Sequence, residues 1–320
     1  MIRIPKAFGC VHINMDTQPE MDARGSFEAR YLAFLETISH LRPRLHRYCS
    51  RMTGSVLDGE DVVQDALFEA YRKLDTYDDS RPLAPWLFQI AHNRCIDWLR
   101  RRGVREEAEA AAVRPDYVLP VDPPGAELGR AVENLVTCLP PKERACVLLK
   151  DVFDYTLEEI AELVGSTVGG VKAALSRGRA KLTTLPDRAP SRKKNPELLQ
   201  LLQLYVELFN QRDWDGLREL ISADARLLVA DRFAGRLADS SYFGNYERWT
   251  VAWQMAAGEV DGEFVVIILQ RDLHSDMGRW KPQGVVRLAL QEQRIMHIGD
   301  YSHCPWILSA AGEVVLADPS

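Results

Sequence analysis

The stretch Val168–Leu182, V-G-G-V-K-A-A-L-S-R-G-R-A-K-L, constrains this chain more than any other. Val171, Ala174, Leu175 and Leu182 recur at helical spacing and can face a core, while Lys172, Arg177, Arg179 and Lys181 fall on the exposed flanks. Immediately before it, T-L-E-E-I-A-E-L-V-G reads as a short acidic amphipathic helix that stops at Gly165. Thr156 and Glu159 have the spacing of a capping box, in which hydroxyl and carboxylate satisfy each other's orphan backbone donors. Two short helices joined by a glycine turn, the second one basic, form the helix-turn-helix pattern. That arrangement lets one helix enter the major groove of DNA.

The net charge of −6 over 320 residues argues against DNA binding only as a chain-wide average. Residues 1–195 hold 29 Lys+Arg against 28 Asp+Glu, and residues 196–320 hold 11 against 18, so the acidity belongs to the C-terminal part. Arg81 to Arg105 carries six Arg and one Asp, and Lys172 to Lys194 carries eight basic residues and one Asp. Either patch alone can be a solvated helix face; together they can neutralise phosphates and release counterions. Phe264–Leu269, the longest strong apolar run, is strand-sized and far short of a membrane span. With no signal-peptide core at the N-terminus, the expectation is no membrane association and a cytoplasmic location. Six cysteines form no C-x-x-C pair, which favours neither a zinc site nor a disulfide framework. His92 and Cys95, one helical turn apart, read as core neighbours, and no metal, cofactor or catalytic set is expected.

Residues 1–25 read as an irregular extension, with Met15 and Met21 as alternative starts. Residues 26–103 form a first helical domain. Phe27–Met52 is one long helix or a pair divided near Pro43. Asp58–Leu74 follows, with Asp58, Glu60, Asp61 and Asp65 in its early turns, where the helix dipole favours acids. After the polar loop T-Y-D-D-S-R-P comes a third helix, Pro85–Arg102. Residues 104–125 read as a linker, with a loosely packed helix at Glu106–Val113 as the alternative. Residues 126–185 form a second helical domain: helices at Ala126–Leu139 and from Pro140–Pro141 to Lys150, then the helix-turn-helix. The basic, proline-rich 186–196 is the clearest domain boundary. In 197–320, helices at Leu199–Asn210 and Trp214–Ile221 precede strands at Ala225–Ala230, Phe264–Arg271, Val285–Gln291 and Arg294–Tyr301. Helices followed by strands predict an α+β domain with an antiparallel sheet.

Two blocks resemble a known family, the bacterial sigma-70-type factors of the extracytoplasmic function group. D-G-E-D-V-V-Q-D-A-L-F-E-A-Y-R-K-L with R-P-L-A-P-W-L-F-Q-I-A-H-N-R-C-I-D-W-L-R-R-R is similar to the family's region two. L-P-P-K-E-R-A-C-V-L-L-K-D-V-F-D-Y together with the helix-turn-helix is similar to region four. The resemblance implies two all-α domains and two partners, core RNA polymerase and promoter DNA. It implies docking on polymerase through Asp61, Gln64 and Asp65. For the minus-ten element it implies a base pocket at Asn93, a specificity loop at Asp78–Pro82 with Asp78, Ser80 and Arg81, and phosphate contacts from Arg94, Arg100, Arg101 and Arg102. Gln89 stands where relatives commonly have a basic residue. For the minus-thirty-five element it implies Lys172, Ser176, Arg177, Arg179 and Lys181. Gly169, Gly170, Ala173 and Ala174 are smaller than the residues of many relatives, which shifts readout toward backbone contacts and DNA shape.

The opening of 197–320 resembles the SnoaL-like branch of the NTF2-like fold, a curved sheet wrapped by helices around an apolar cone-shaped pocket. The resemblance leaves open a small-molecule ligand in that pocket and a separate anti-sigma factor. Asp224, Asp231, His274, His297, Asp300 and His303 are the candidates for a general base in such a pocket; turn and cap roles explain them as well. Trp249, Trp253, Trp280 and Trp306 suit pocket walls or core equally. Three readings result: a sigma factor regulated in cis by its C-terminal domain, a helix-turn-helix regulator with a ligand domain, and a DNA-targeted NTF2-like enzyme. The second leaves the Asp58–Arg102 block unexplained, and the third lacks an assembled catalytic set.

Overall fold

The computed structural model describes residues 18–78, 80–112, 135, 138–184, 196–271, 279–291 and 293–317. The chain divides into two compact units, a helical one within Ile13–Ser191 and a sheet unit within Arg192–Ser320. The N-terminal extension up to residue 17, residues 185–195 (all but the last residue of the 186–196 linker), His274 and most of 113–137 lie outside the described residues.

In the helical unit, α1 (Gln18–Thr53) is one helix with Pro43 inside it, on the exposed side. α2 (Val56–Arg72) is capped by Ser55, whose hydroxyl accepts from Asp58 N at 3.3 Å. α3 (Leu83–Ala112) runs past Arg102 into the stretch read as linker; the Ala/Glu-rich run that follows Gly103 has high helix propensity. α4 (Pro141–Val147) starts on Pro141, whose missing N–H costs nothing at that position, and passes into a π-helical turn, Leu148–Val152. α5 (Leu157–Leu163) and α6 (Val168–Thr183) follow. The capping box forms as the spacing predicts: Glu159 N donates to Thr156 Oγ1 at 3.2 Å, and Thr156 N to Glu159 Oε2 at 2.7 Å. Gly165 makes the turn at φ +60°, a conformation that a Cβ disfavours.

The two helical modules share one hydrophobic core. Leu45, Tyr48, Val63, Leu87, Phe88 and Ala91 of the first pack with Cys146, Leu148, Leu149, Phe153, Ile160 and Val171 of the second.

In the sheet unit, α7 (Pro196–Gln211) and α8 (Trp214–Leu220) lead into β1 (Ile221–Val229) and β2 (Phe233–Arg236). α9 (Tyr242–Glu247) precedes β3 (Trp253–Val260), β4 (Glu263–Arg271), β5 (Trp280–Gln291) and β6 (Arg294–Asp300); α10 (Trp306–Ala310) and β7 (Val314–Leu316) end the unit. The strand order is β2-β1-β6-β5-β4-β3-β7. The sheet is mixed rather than antiparallel, because β6 returns beside β1 and pairs with it in parallel, Leu227 opposite Ile298. α7 lies on β3 and β4, so Leu202, Tyr205 and Phe209 pack against Met255, Val266 and Ile268. Val265, Ile267 and Val285, which alternate with that inner face, are buried as well, and α10 packs on β5. This curved α+β architecture agrees with the class expected for 197–320.

Candidate nucleic-acid interface

α6 presents Lys172, Ser176, Arg177, Arg179 and Lys181 to solvent, and buries Val171, Ala174, Leu175 and Gly178. Gly178 is where α6 comes closest to α4: a Cβ there would stand 2.9 Å from Val147 Cγ2. That approach brings Glu143 of α4 within reach of two cations. Arg177 Nε donates to Glu143 Oε1 at 2.9 Å and Lys181 Nζ to Oε2 at 2.8 Å. Lys181 and Arg177 hold the Glu143 carboxyl below the usual carboxylate range. Arg179 meets Asp151 edge-on, Nε to Oδ2 at 3.1 Å and Nη2 to Oδ1 at 2.5 Å. On one flank of α6 a cavity of about 590 Å³ is lined by Lys150, Leu157, Lys172, Leu175, Ser176 and Arg179. The five residues expected to read DNA thus fall on two flanks, Lys172/Ser176/Arg179 and Arg177/Lys181, with the exposed small residues Gly169, Ala173 and Ala180 between them.

α3 distributes its cations differently. Asn93, Arg100 and Arg101 are exposed. Arg94 is half-buried and donates from Nε to Glu69 Oε2 of α2 at 2.5 Å; the same carboxylate group takes Lys73 Nζ at 2.6 Å on its other oxygen. Arg100 bonds Asp97 at 3.0 Å, and the Arg102 guanidinium lies 5.3 Å from the centre of the Trp98 ring. Trp86 is half-buried and packs at a tilt on Tyr77 with ring centres 4.7 Å apart. The loop before α3 is held in a turn: Ser80 N donates to Asp78 Oδ1 at 3.0 Å, Arg81 N to Asp78 O at 3.0 Å, and the Tyr77 hydroxyl to Arg81 O. These bonds leave the side chains of Ser80 and Arg81 in solvent. Hydrogen bonds from Ser80 lower the Asp78 carboxyl.

On α2 the expected polymerase-facing residues share one side. Asp65 is exposed, Asp61 and Gln64 are half-buried, and Phe68 stands beside them 56% exposed, a large apolar side chain in water. The sequence contains the signal for Phe68, its i+3 and i+7 spacing from Asp65 and Asp61. Glu60, grouped with the early-turn acids, is instead buried and ion-paired with buried Arg42.

The contacts that join the two modules carry no local signal in the sequence. Phe153, just after the π-helical turn, packs against Tyr48 and Phe88 with ring centres 5.8 Å and 6.2 Å away. The Arg44 guanidinium lies 5.2–5.9 Å from the rings of Tyr155, Phe88 and Phe153 and donates to Phe153 O at 3.2 Å. Arg144 of α4, only 4% exposed, reaches the last turn of α1, donating from Nη1 to Met52 O at 2.5 Å. Its other nitrogens bond Leu139 O at 3.0 Å and Leu135 O at 3.1 Å. A cation at a helix C-terminus meets carbonyls that lack intrahelical donors; burial still lowers Arg144 to about 10. His92, beside Cys95, shares a 2.8 Å hydrogen bond between Nδ1 and the Tyr48 hydroxyl, and burial lowers it to about 4, leaving it neutral at pH 7.

Among the described residues of the sheet unit, the candidate bases His303, Asp300 and Asp231 lie near one another, and Asp224 sits apart on an exposed ion pair. Asp300 is buried and accepts from the Tyr246 hydroxyl at 2.5 Å and from Ser302 N at 2.8 Å. Half-buried His303, lowered by burial, feels Arg232, Asp300 and Asp231. Asp224 is exposed on an ion pair with Arg236 at 3.3 Å, and His297, lowered by burial, lies near Arg287 and Arg226. The ground between α7, α9 and the sheet is filled by aromatic rings. Phe209 packs against Tyr205, Trp214, Tyr242, Tyr246 and Trp253 at 5.0–6.4 Å. Trp253 is core, Trp249 packs on Tyr246, and Trp280 is exposed.

Comparison with known proteins matches both helical modules. Residues 37–105 match the family model of sigma-70 region 2, and residues 129–182 that of sigma-70 region 4. The chain is 30% identical over 241 residues to the ECF RNA polymerase sigma factor SigG of Mycobacterium tuberculosis, with 66% of this chain and 63% of that one covered. It thus spans somewhat less than two thirds of that relative's length. It is 32% identical over 162 residues to SigW of Bacillus subtilis, with 47% of this chain and 87% of that one covered. Among solved structures it is similar to the extracytoplasmic function sigma factor SigJ of Mycobacterium tuberculosis, at 20% identity, TM-score 0.33, and 83% and 95% coverage.

Proposed function

The chain belongs to the extracytoplasmic function sigma factors of RNA polymerase, and from that premise we propose that it binds core RNA polymerase and directs promoter recognition and transcription initiation. The observation that carries this reading is the pairing, in one chain, of matched regions 2 and 4, each with a cationic helix in solvent. α6 reads the minus-thirty-five element through Lys172, Ser176, Arg177, Arg179 and Lys181. α3 and the Asp78–Arg81 turn hold the minus-ten strand through Asp78, Ser80, Arg81, Asn93 and Arg100–Arg102, while Arg94 ties α3 to Glu69 of α2. Asp61, Gln64 and Asp65, joined by exposed Phe68, form the polymerase-facing side of α2. Polymerisation chemistry is left to the core subunits, so the chain acts as a binding and positioning subunit in the cytoplasm.

Geometry adds a requirement. The two promoter elements lie about 25 base pairs apart, about 85 Å along B-DNA. The longest element of the helical unit, α1, is only about 54 Å from end to end. The packed arrangement of the two modules therefore suits the factor off the promoter, and Phe153, Tyr155 and Arg144 must leave their partners on the first module before both elements are held. The sheet unit is proposed to regulate this factor in cis; a ligand within it and a separate anti-sigma factor remain further candidates as partners.

The test is reconstituted transcription. Core polymerase alone is expected to be inactive on a cognate promoter and active once the full chain is added. Removing residues 197–320 is expected to change that activity while core binding persists. A mixture that never initiates ends the sigma-factor reading, and a truncation that behaves as the full chain ends the regulatory one.

A further inference from the structure

One face of the sheet departs from the charge of its own unit. Residues 196–320 hold more acids than bases, yet β2, β1, β6 and β5 set cations side by side on the face turned away from the aromatic core. Arg236 of β2 stands directly opposite Arg226 of β1, and Arg226 directly opposite His297 of β6. His297 pairs with Ala289 of β5, which shares its side of the sheet with Arg287 and Gln291, and Gln291 pairs with Arg294. Ala225, Leu227 and Ile298, next to these residues along their strands, point the other way and are buried. Like charges directly opposite on a sheet destabilise it, so this row of arginines is costly unless something anionic lies on it. Two acids answer part of the charge: Asp224 takes Arg236 at 3.3 Å, and Glu263 takes Arg287 at 2.6 Å. Arg226, exposed in the middle of the row, has no hydrogen bond or ion pair among the described residues. Burial, then Arg287 and Arg226, lower His297, so it adds no charge of its own at neutral pH.

Resting on the proposed reading of this chain as a promoter-binding factor, we propose that this sheet face is a further contact surface for duplex DNA, separate from α3 and α6, and that Arg226 is its central phosphate ligand. A guanidinium matches a phosphate because its planar fork donates two parallel hydrogen bonds, and every cation of the row except His297 is an arginine. A phosphate between Arg226 and Arg236 turns their mutual repulsion into a shared attraction. The four strands span about 14 Å, close to the roughly 12 Å width of a major groove, so Arg236 and Arg287 can meet phosphates on its two sides. Ala234 and Ala289 are exposed and small, so the face sends no long side chain from these positions toward base edges and its contact is with the backbone. A single strand would need stacking platforms, and the exposed ring of β5, Trp280, lies seven residues from Arg287. A second copy laid face to face would set arginines against arginines.

The test is binding of the full chain with core polymerase to a promoter duplex across a salt series, with a hydroxyl-radical footprint of each complex. Arg226→Gln is expected to make the slope of log K against log[salt] shallower by about 1. In the footprint it is expected to lose backbone protection outside the two promoter elements and to keep it within them. The same variant is expected to melt no lower than wild type, because it removes a like charge from between two neighbours. Ala289→Glu, which lays a carboxylate on the face at an exposed position, is expected to weaken binding in the same way. An unchanged slope and footprint for both variants, with wild type still binding, overturns the sheet-face proposal and leaves the promoter reading intact. No promoter binding by wild type with core polymerase removes both. The alternative of an acidic polypeptide is probed with poly-glutamate. Poly-glutamate binding that depends on Arg226, with promoter affinity indifferent to it, assigns the face to an acidic protein segment and overturns the DNA contact.

Discussion

α3 and α6 carry the same kinds of cation and spend them differently. On α3 the arginine nearest the base-pocket position, Arg94, turns inward and ties α2 to α3 through Glu69, its side chain 33% exposed. On α6, Arg177 and Arg179 keep 59% and 52% exposure while acids of α4 and the π-helical turn hold one edge of each. Arg144 extends the series to full burial, with backbone carbonyls as its acceptors. Exposure therefore sorts these arginines into one that joins modules, one that joins helices and two that stay in solvent on α6, where the proposed function puts DNA, although residue type does not distinguish them. An exposed ion pair adds little to stability but can set the direction of a side chain; a buried one is costly to break from one side.

The largest effect expected from that ordering is at Arg144. Arg144→Ala leaves the carbonyls of Met52, Leu139 and Leu135 without their buried donor. The expected loss is about 3 kcal/mol in the unfolding of the helical unit. It is read by urea denaturation followed through the helical signal, since a chain of two units need not unfold in one step. A loss no greater than that of an exposed pair, below about 1 kcal/mol, would break the ordering at its buried end.

The next prediction sets the two cationic helices against each other. Arg177→Ala is expected to cost on the order of 1–3 kcal/mol in promoter binding, if it makes a bidentate base contact, with little change in melting temperature. Arg94→Ala is expected to do the reverse. It removes a partly exposed pair and one charge-assisted hydrogen bond, about 1 kcal/mol of stability, and leaves affinity for duplex DNA near wild type. If Arg94→Ala instead weakens promoter opening with no change in stability, its placement against Glu69 does not hold on the promoter and the contrast collapses.

The difference also explains what could be read from the chain before its fold was known. The helix-turn-helix was legible because its evidence is local: the apolar spacing of Val171, Ala174, Leu175 and Leu182, the capping box, and Gly165 at positive φ. The cations of α6 were legible as a set, but not their division into two flanks, because Glu143 and Asp151 lie 34 and 28 residues away in sequence. Phe153 and Arg144 were not legible as the joint between modules, since nothing near them in sequence encodes Tyr48, Phe88 or the end of α1. In the sheet unit, β4, β5 and β6 were found through Val- and Ile-rich runs. β3 was missed because Ala256, Ala257 and Gly258 carry little strand preference. The parallel pairing of β1 with β6 follows from chain return, which no local pattern reports.

The smallest effect expected is a pH dependence, and it refines the contrast between the helices. Lys181 and Arg177 lower the carboxyl of Glu143 in the folded chain. For Glu69 burial acts to raise it, but Lys73 and Arg94 together outweigh burial, so it too is lowered. A carboxyl lowered on folding binds fewer protons in the native state, so its stabilisation is present above the ordinary value of 4.5 and fades as the pH falls through the folded value below that. Melting temperatures of wild type and Glu143→Gln should therefore differ at neutral pH and converge below pH 4.5, and Glu69→Gln should follow the same course. The helices part in the second readout. At neutral pH Glu143→Gln frees Arg177 and Lys181 on α6 and should strengthen non-specific duplex binding at low salt, whereas Glu69→Gln frees Arg94 between helices and Lys73 at the end of α2 and should strengthen it less. Equal gains for both variants would mean that removal of any acid is enough, and that the position of Glu143 beneath α6 has no special part in DNA binding.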